Sequence, residues 1–239
     1  MIRALSIVAA LTAGAADAAC RQALALGLDV SGSVDAREYR SQINGLASAL
    51  NDPAVRGAML SSPGAPVSVL VYEWSGPADQ AIIAPWVSVT DGAALDGLIE
   101  TLRQTTRREA TPGTALGVAV KLGAIYLAEQ SECWKRTLDI SGDGKSNLGP
   151  RPRDIKDGVA AEGITVNALV IGADNPASGD QRQAEIAELS SYFRAEVITG
   201  PDAFVEAALG FADYEAAMTR KLLRELEVLA VSSLEMLPD

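Results

Sequence analysis

The chain has 239 residues, 48% of them hydrophobic, with a formal net charge of −11 and no histidine. That length suits one large domain or two small ones, and the apolar fraction can bury an independent core. An acidic surface without an extended Lys/Arg cluster argues against nucleic-acid and anionic-membrane partners, and the missing histidine excludes Ser-His-Asp, Cys-His and HExxH chemistry.

The first twenty residues, "MIRALSIVAALTAGAADAAC", carry one basic residue, Arg3, followed by an Ala/Leu/Ile/Val stretch. The stretch ends in Ala16-Asp17-Ala18, a small-x-small cleavage pattern. Residues 1–18 are therefore expected to be a cleaved secretory signal, leaving 19–239 as one domain, periplasmic or secreted. An Ala-rich core helix is the alternative. Cys20 invites a lipid anchor, but Asp17 stands where a lipobox needs an aliphatic residue. Losing Arg3 and Asp17 together leaves the mature charge at −11. No later segment has the uninterrupted apolar length to span a bilayer, so no membrane insertion is expected after cleavage.

Apolar runs and helical patterns then alternate. "ALALGL" reads as a buried strand, followed by a helix from about Asp35 to Leu50, with Asp35 and Glu38 as a capping pair. "NDPAVRGAMLSSPGAP" is a loop with a short helical piece. "VSVLVYEW" is a strand, and "AIIAPWVSV" its hairpin partner at a sheet edge, where Pro85 is tolerated. A helix from about Gly92 to Thr105, the turn "TTRREATPG" and a helix from Thr114 to Glu129 follow. "KRTLDIS" is a strand, "GDGKSNLGPRPR" a loop, and "DIKDGVAAEG" a helix ending at Gly163. "ITVNALVIG" is a strand, "DQRQAEIAELSSYF" a helix, "AEVIT" (195–199) a short strand, and a long amphipathic helix runs from about Asp202 to Leu229. Strands separated by helices of this length predict an α/β fold: a doubly wound, mostly parallel sheet with one antiparallel edge strand, covered on both faces.

In such sheets ligands bind beyond the carboxyl ends of the strands. Two loops there carry suitable chemistry: Asp29-Val-Ser31-Gly-Ser33 after the first strand, and Asp143 in "DISGDGKSN". Between them "TPGTALGVAV" puts Thr114 near a helix start, with Thr111 close by as an alternative. Taken singly, Asp-x-Ser-x-Ser is as readily a turn and helix cap, Thr114 an N-cap, and Asp143-Gly144 a turn. Asp35 reads better as a cap than as a ligand.

Together the three segments resemble the metal-ion-dependent adhesion site of von Willebrand factor A-type domains. Asp29, Ser31 and Ser33 match that family's first element at every position. Thr114-Ala-Leu-Gly117-Val-Ala119-Val matches the second, except that Val120 replaces the usual Leu, and Asp143-Gly144 matches the third. The resemblance covers about Ala23 to Leu209. "DVSGSVD", Cys133-Trp134-Lys135-Arg136, "SGDGKSN" and the C-terminal "FADY" further resemble a set of exported bacterial proteins of this type whose role is unassigned. The resemblance implies a divalent cation, Mg²⁺ with Mn²⁺ or Ca²⁺ as alternatives, held by Asp29, Ser31, Ser33, Thr114 and Asp143. It also implies a protein partner that completes the coordination with an Asp or Glu carboxylate. Such a module would serve adhesion, assembly or scaffolding and would not be an enzyme. Oxygen ligands of low total charge suit a hard cation and leave it electrophilic toward an outside oxygen. In the resembling fold the first and fourth central strands are parallel neighbours, so Cys20 and Cys133 would meet at one edge and pair; two unpaired thiols are the alternative.

Three competing motifs fail. "DISGDG" copies half an EF-hand loop, but its twelfth position is Pro150. A haloacid-dehalogenase-type phosphatase needs a second Asp where Ser31 stands, and no GxGxxG follows a strand. A metal-dependent phosphatase or hydrolase remains the alternative function, and an A-type fold with a vestigial site and metal-independent binding a third. Asp139 lies in an apolar strand, where it either supports the loop or pairs with a nearby arginine.

Overall fold

A computed structural model describes residues 20–172 and 179–234. The expected signal segment, 1–18, lies outside the described residues. In chain order the elements are β1 (Gln22–Asp29), α1 (Ala36–Asn51), α2 (Pro53–Leu60), β2 (Val67–Trp74), β3 (Gln80–Val89), α3 (Gly92–Gln104), α4 (Leu116–Ala128) and β4 (Lys135–Gly142). They continue as α5 (Arg153–Ala161), β5 (Ile164–Ile171), α6 (Gly179–Glu196), β6 (Val205–Ala208), a 3₁₀ turn (Phe211–Asp213) and α7 (Tyr214–Leu234). The sheet order is β3-β2-β1-β4-β5-β6, parallel throughout except for β3, which pairs with β2 antiparallel at one edge. This is the doubly wound sheet that the alternation of strands and helices predicts.

β1 shows why the sequence makes this sheet. Its alternate residues Leu24, Leu26 and Leu28 enter a core formed with α1, α2, α3 and α7. Ala23 and Ala25 face the opposite core, where Tyr72, Leu138 and Ile140 pack under α4. Both faces are covered, so the strand is apolar throughout, as parallel central strands are. Gly27 is required on the second face: a Cβ there would lie 2.7 Å from the Tyr72 ring and 2.9 Å from Ile140 Cδ1. Tyr72 in turn sends its hydroxyl to the Ala119 carbonyl at 2.8 Å, so this side chain fixes α4 over the strand that ends in Asp29.

The local signal at the start of α1 holds. Asp35 accepts from the N–H groups of Arg37 and Glu38, and Glu38 accepts from the Asp35 N–H, the full capping box. Three expectations need correction. "AEVIT" is not a strand: Ala195 and Glu196 end α6, and only Thr199 bridges to Val166. The last helix starts at Tyr214 instead of near Asp202, because Val205–Ala208 forms β6. That segment has helical spacing, but Gly200 (φ 93°) and Asp202 (φ 55°) break the chain into the left-handed region. β6 then satisfies the outer edge of β5, through Ala168 N–H to Phe204 O and Gly172 N–H to Ala208 O. α4 likewise starts at Leu116, its N-cap being Ala115, so Thr114 lies before the helix and does not cap it.

Asp139 pairs with a lysine and not an arginine. Lys221 Nζ of α7 lies 2.7 Å from Asp139 Oδ2 and 2.7 Å from Glu225 Oε1, with all three side chains buried. Asn167 Nδ2 also donates to Glu225 Oε1 at 2.7 Å. Burial pushes the Asp139 carboxyl up to about 7, with Lys221 pulling it down and Glu225 pushing it further up. Burial works against the Lys221 ammonium, but the two carboxylates outweigh it and hold its pKa above the ordinary lysine value. α7 is thereby tied to the middle of β4 and β5.

The Cys20–Cys133 disulfide is present. It joins the chain just before β1 to the chain just before β4, beside the Trp134 N–H to Cys20 O bond that opens the ladder between the two strands.

Candidate metal centre

β1 and β4 are neighbours in register, Leu28 opposite Ser141, and both end at the same rim of the sheet. The chain leaves β1 at Asp29 and β4 just before Asp143, so the two carboxylates face one another across that rim. Ser33 Oγ donates to Asp143 Oδ1 at 2.7 Å, and Ser31 Oγ lies 3.2 Å from Ser33 Oγ. Ser31 N–H closes an Asx turn on Asp29 Oδ1 at 2.8 Å. Four of the five expected ligands are thus linked by hydrogen bonds although 110 residues separate Ser33 from Asp143.

Asp29 is fully buried, and its Oδ2 has no hydrogen-bond partner among the described residues. That oxygen sits where Gly142 leaves room, 3.4 Å from the position of an added Cβ. Burial and the charge of Asp143 push the Asp29 carboxyl up to about 7 against the pull of the Ser31 bonds and of the nearby Asp143 N–H. Asp143 is also raised by burial, with the Ser33 bond opposing. Two carboxylates held together under desolvation, one with a free oxygen, form a strongly negative focus at the sheet rim.

Thr114 comes in on a third loop that is pinned to the other two. Gly32 N–H donates to Pro112 O at 3.1 Å, which seats the serine loop on the segment before Thr114. A Cβ on Gly32 would lie 2.6 Å from Pro112 Cβ, so only glycine permits that approach. On the other side Thr114 N–H donates to Asn147 Oδ1 at 2.9 Å, and Thr114 O accepts from the Asn147 and Leu148 N–H groups. Ala115 N–H donates to Ser75 O at 2.7 Å, adding the loop after β2. Thr114 is 6% exposed. Thr111 is engaged elsewhere, giving both its N–H and its hydroxyl to Asp79 Oδ2.

The supports were not legible as such. In the sequence Asn147 is only the last letter of "SGDGKSN", and Ser75 and Asp79 lie in the connection between the two hairpin strands. Gln42, whose amide donates to Asp29 O at 3.0 Å, had a signal: it is a polar residue on the buried stripe of α1 between Tyr39 and Ile43.

Among the described residues no group of three or more His, Cys, Asp or Glu side chains could hold a metal. The rim instead offers two carboxylates and the Ser31 and Ser33 hydroxyls, with Thr114 held on the adjoining loop through its main chain, an oxygen donor set suited to a hard cation. The orphaned Asp29 oxygen beside Asp143 fits such an ion, whose charge would offset the burial that raises both carboxyls.

Comparisons with known proteins agree with the fold. A family profile described as "Protein of unknown function (DUF1194)" matches residues 19–230. No curated protein sequence matches significantly. Among solved structures, the chain is similar to proximal thread matrix protein 1 from the mussel byssus, in a form described as having a zinc-occupied MIDAS motif. The TM-score is 0.58 at 13% identity, covering 88% of this chain and 47% of that one. It is similar to the pilus adhesin SpaC of Lactobacillus rhamnosus GG, with TM-score 0.58 and 14% identity, covering 88% and 31%. A von Willebrand factor type A structure from Catenulispora acidiphila gives TM-score 0.56 and 14% identity, covering 87% and 43%. The chain thus spans less than half the length of each of these three proteins, and at such identities the likeness concerns the fold, which is the von Willebrand A-type α/β fold.

Proposed function

We propose a role for a chain that belongs to the DUF1194 family: a protein-binding module of the bacterial envelope, periplasmic or secreted, that works through a divalent cation and carries out no catalysis. Asp29, Ser31, Ser33, Thr114 and Asp143 would hold the ion, Mg²⁺ in the first instance and Mn²⁺ or Ca²⁺ as alternatives. These five residues supply one oxygen fewer than the roughly six that magnesium takes, if each gives one. A partner's Asp or Glu carboxylate would complete the set. The ion supplies a local positive field on an acidic protein, which is what lets it accept an acidic partner.

One observation carries the reading: the Ser31–Ser33–Asp143 hydrogen-bond chain ends beside a buried Asp29 whose Oδ2 lacks a donor. The mussel protein's zinc-occupied MIDAS motif supports metal competence of the fold. The adhesin and matrix-protein relatives support a binding role. The exposed Leu148, next to the Asn147 that clamps Thr114, gives a partner apolar surface to cover. No helix among the described residues is long and apolar enough to cross a membrane.

Isothermal titration with Mg²⁺ and Mn²⁺ tests the first half. Binding is expected in the wild type and lost in Ser33→Ala and Asp29→Ala; no heat in the wild type overturns it. Pull-down from an envelope fraction with and without chelator tests the second. Partner capture that survives EDTA and Ser31→Ala would instead establish a metal-independent surface with a vestigial site.

A further inference from the structure

The opposite end of the sheet carries a cleft that the cation site does not use. β4 begins there at Lys135 and ends one residue before Asp143, so about eight strand residues separate the two ends, on the order of 25 Å. The cleft encloses about 610 Å³ between the starts of β4 and β5, the loop before β6, and α7. That is within the range of small-ligand sites.

At its lip stands Trp134, 69% exposed. Its backbone is held rigidly: the preceding Cys133 is in the disulfide, and Trp134 N–H donates to Cys20 O at 2.9 Å. A large flat aromatic side chain is thus presented to solvent on a fixed support. The second aromatic, Phe204, is already covered, with the Arg224 guanidinium 3.8 Å above its ring. Three cations line the same space: Lys135, Arg136 and Arg224. Lys135 Nζ reaches only a carbonyl, Glu225 O at 3.3 Å, and Arg136 Nη2 donates to Glu162 O. Among the described residues none of the three forms an ion pair with a carboxylate, although the chain as a whole is strongly acidic. Asp202, exposed and at positive φ, adds an acceptor at the rim. Burial lowers the Lys135 ammonium pKa, the Glu225 and Asp202 carboxylates that line the same cleft raise it, and Lys221 lowers it further.

We propose that this cleft binds an acidic sugar, a uronic-acid type residue of a glycan. Its carboxylate lies against Lys135, Arg136 and Arg224, where charge-assisted and bidentate bonds are available. A ring face lies on Trp134, and a hydroxyl donates to Asp202. The single free aromatic face favours a sugar over an aromatic acid, which would be held better between two rings. The site is independent of the cation, so one domain can hold a glycan at one end and a protein carboxylate at the other.

Titration calorimetry in EDTA with di-galacturonate, its neutral counterpart galactobiose, and phenylacetate tests this. Saturable binding of di-galacturonate is expected, accompanied by a change in tryptophan fluorescence that is absent in Trp134→Ala. Arg136→Gln and Trp134→Ala should each weaken the calorimetric affinity about tenfold, the worth of one charge-assisted bond or a lost stacking face. Trp134 is exposed, so its variant keeps the fold, which far-ultraviolet circular dichroism verifies. No saturable heat at millimolar sugar overturns the proposal, as does binding that needs Mg²⁺ or is equal in both variants. Equal affinity for galactobiose removes the carboxylate from the recognition, and equal affinity for phenylacetate removes the sugar; either result refutes it.

Discussion

Replacing Lys221 by methionine should show what holds α7 on the sheet. The ammonium lies 2.7 Å from each of two buried carboxylates, Asp139 and Glu225, and one positive charge serves both. Methionine keeps the chain length and apolar stem but leaves the two acids alone in the core. Removing one partner of a buried ion pair costs about 3–5 kcal/mol. For a domain of this size that lowers the melting temperature by roughly 10–15 °C. The effect depends on pH, and its sign follows from Asp139. Its folded pKa, about 7, lies above the unfolded value, so the folded state holds the proton more tightly. The associated stability is complete at pH below about 4 and is lost as pH rises through about 7. Wild type should therefore lose stability from pH 5 to pH 8. Lys221→Met should lose more over that interval, since the cation that offsets the burial of Asp139 is then gone. Asp139→Asn should flatten the slope and match or exceed wild type at pH 8, by at most ~4 kcal/mol. Thermal unfolding followed by circular dichroism measures all three proteins in EDTA, which keeps metal off the rim; the Asp29 carboxyl, itself raised to about 7, titrates alike in each, so the differences between proteins report on Asp139. A Lys221→Met melt within about 3 °C of wild type at pH 8, or an Asp139→Asn protein weakened more at pH 8 than at pH 5, would refute the reasoning.

Three further outcomes can be measured on the same material. Cys20→Ser with Cys133→Ser opens a loop of 113 residues and should cost about 5 kcal/mol in the chain-entropy account, read as a lower denaturant midpoint with little change in native circular dichroism. Gly27→Ala places a methyl 2.7 Å from the Tyr72 ring in a fully packed face, and a loss of about 1–3 kcal/mol is expected in urea unfolding. At saturating Mg²⁺ the wild type should gain thermal stability and Ser33→Ala should not, while in EDTA the two should melt within a few degrees of one another; a Ser33→Ala protein that gains equally would remove Ser33 from the metal.

Much of the site was legible because its chemistry is local in sequence even though its geometry is not. Asp29, Ser31 and Ser33 share one turn, and the Asx bond from Ser31 N–H to Asp29 Oδ1 is what that spacing makes. The capping box at Asp35 and Glu38 is equally local. The clamps on Thr114 are not readable in the same way: Ser75 and Pro112 act through main-chain carbonyls, which carry no residue-type signal, and the Asn147 side chain accepts from a main-chain N–H 33 positions away.

The sequence by itself determined the alternation of strands and helices, the doubly wound class and the candidate cation ligands, since hydrophobic period and turn chemistry are written residue by residue. Tertiary structure alone decided that Val205–Ala208 is a strand, because the unpaired edge of β5 and not local propensity sets its state. It alone gave Asp139 a lysine from α7, 82 positions along the chain, since a buried charge takes whichever partner the fold brings near. It alone gathered Trp134, Arg136 and Arg224 around one cleft: side chains from separate elements become neighbours only when the layers close, and no period along the chain records that distance.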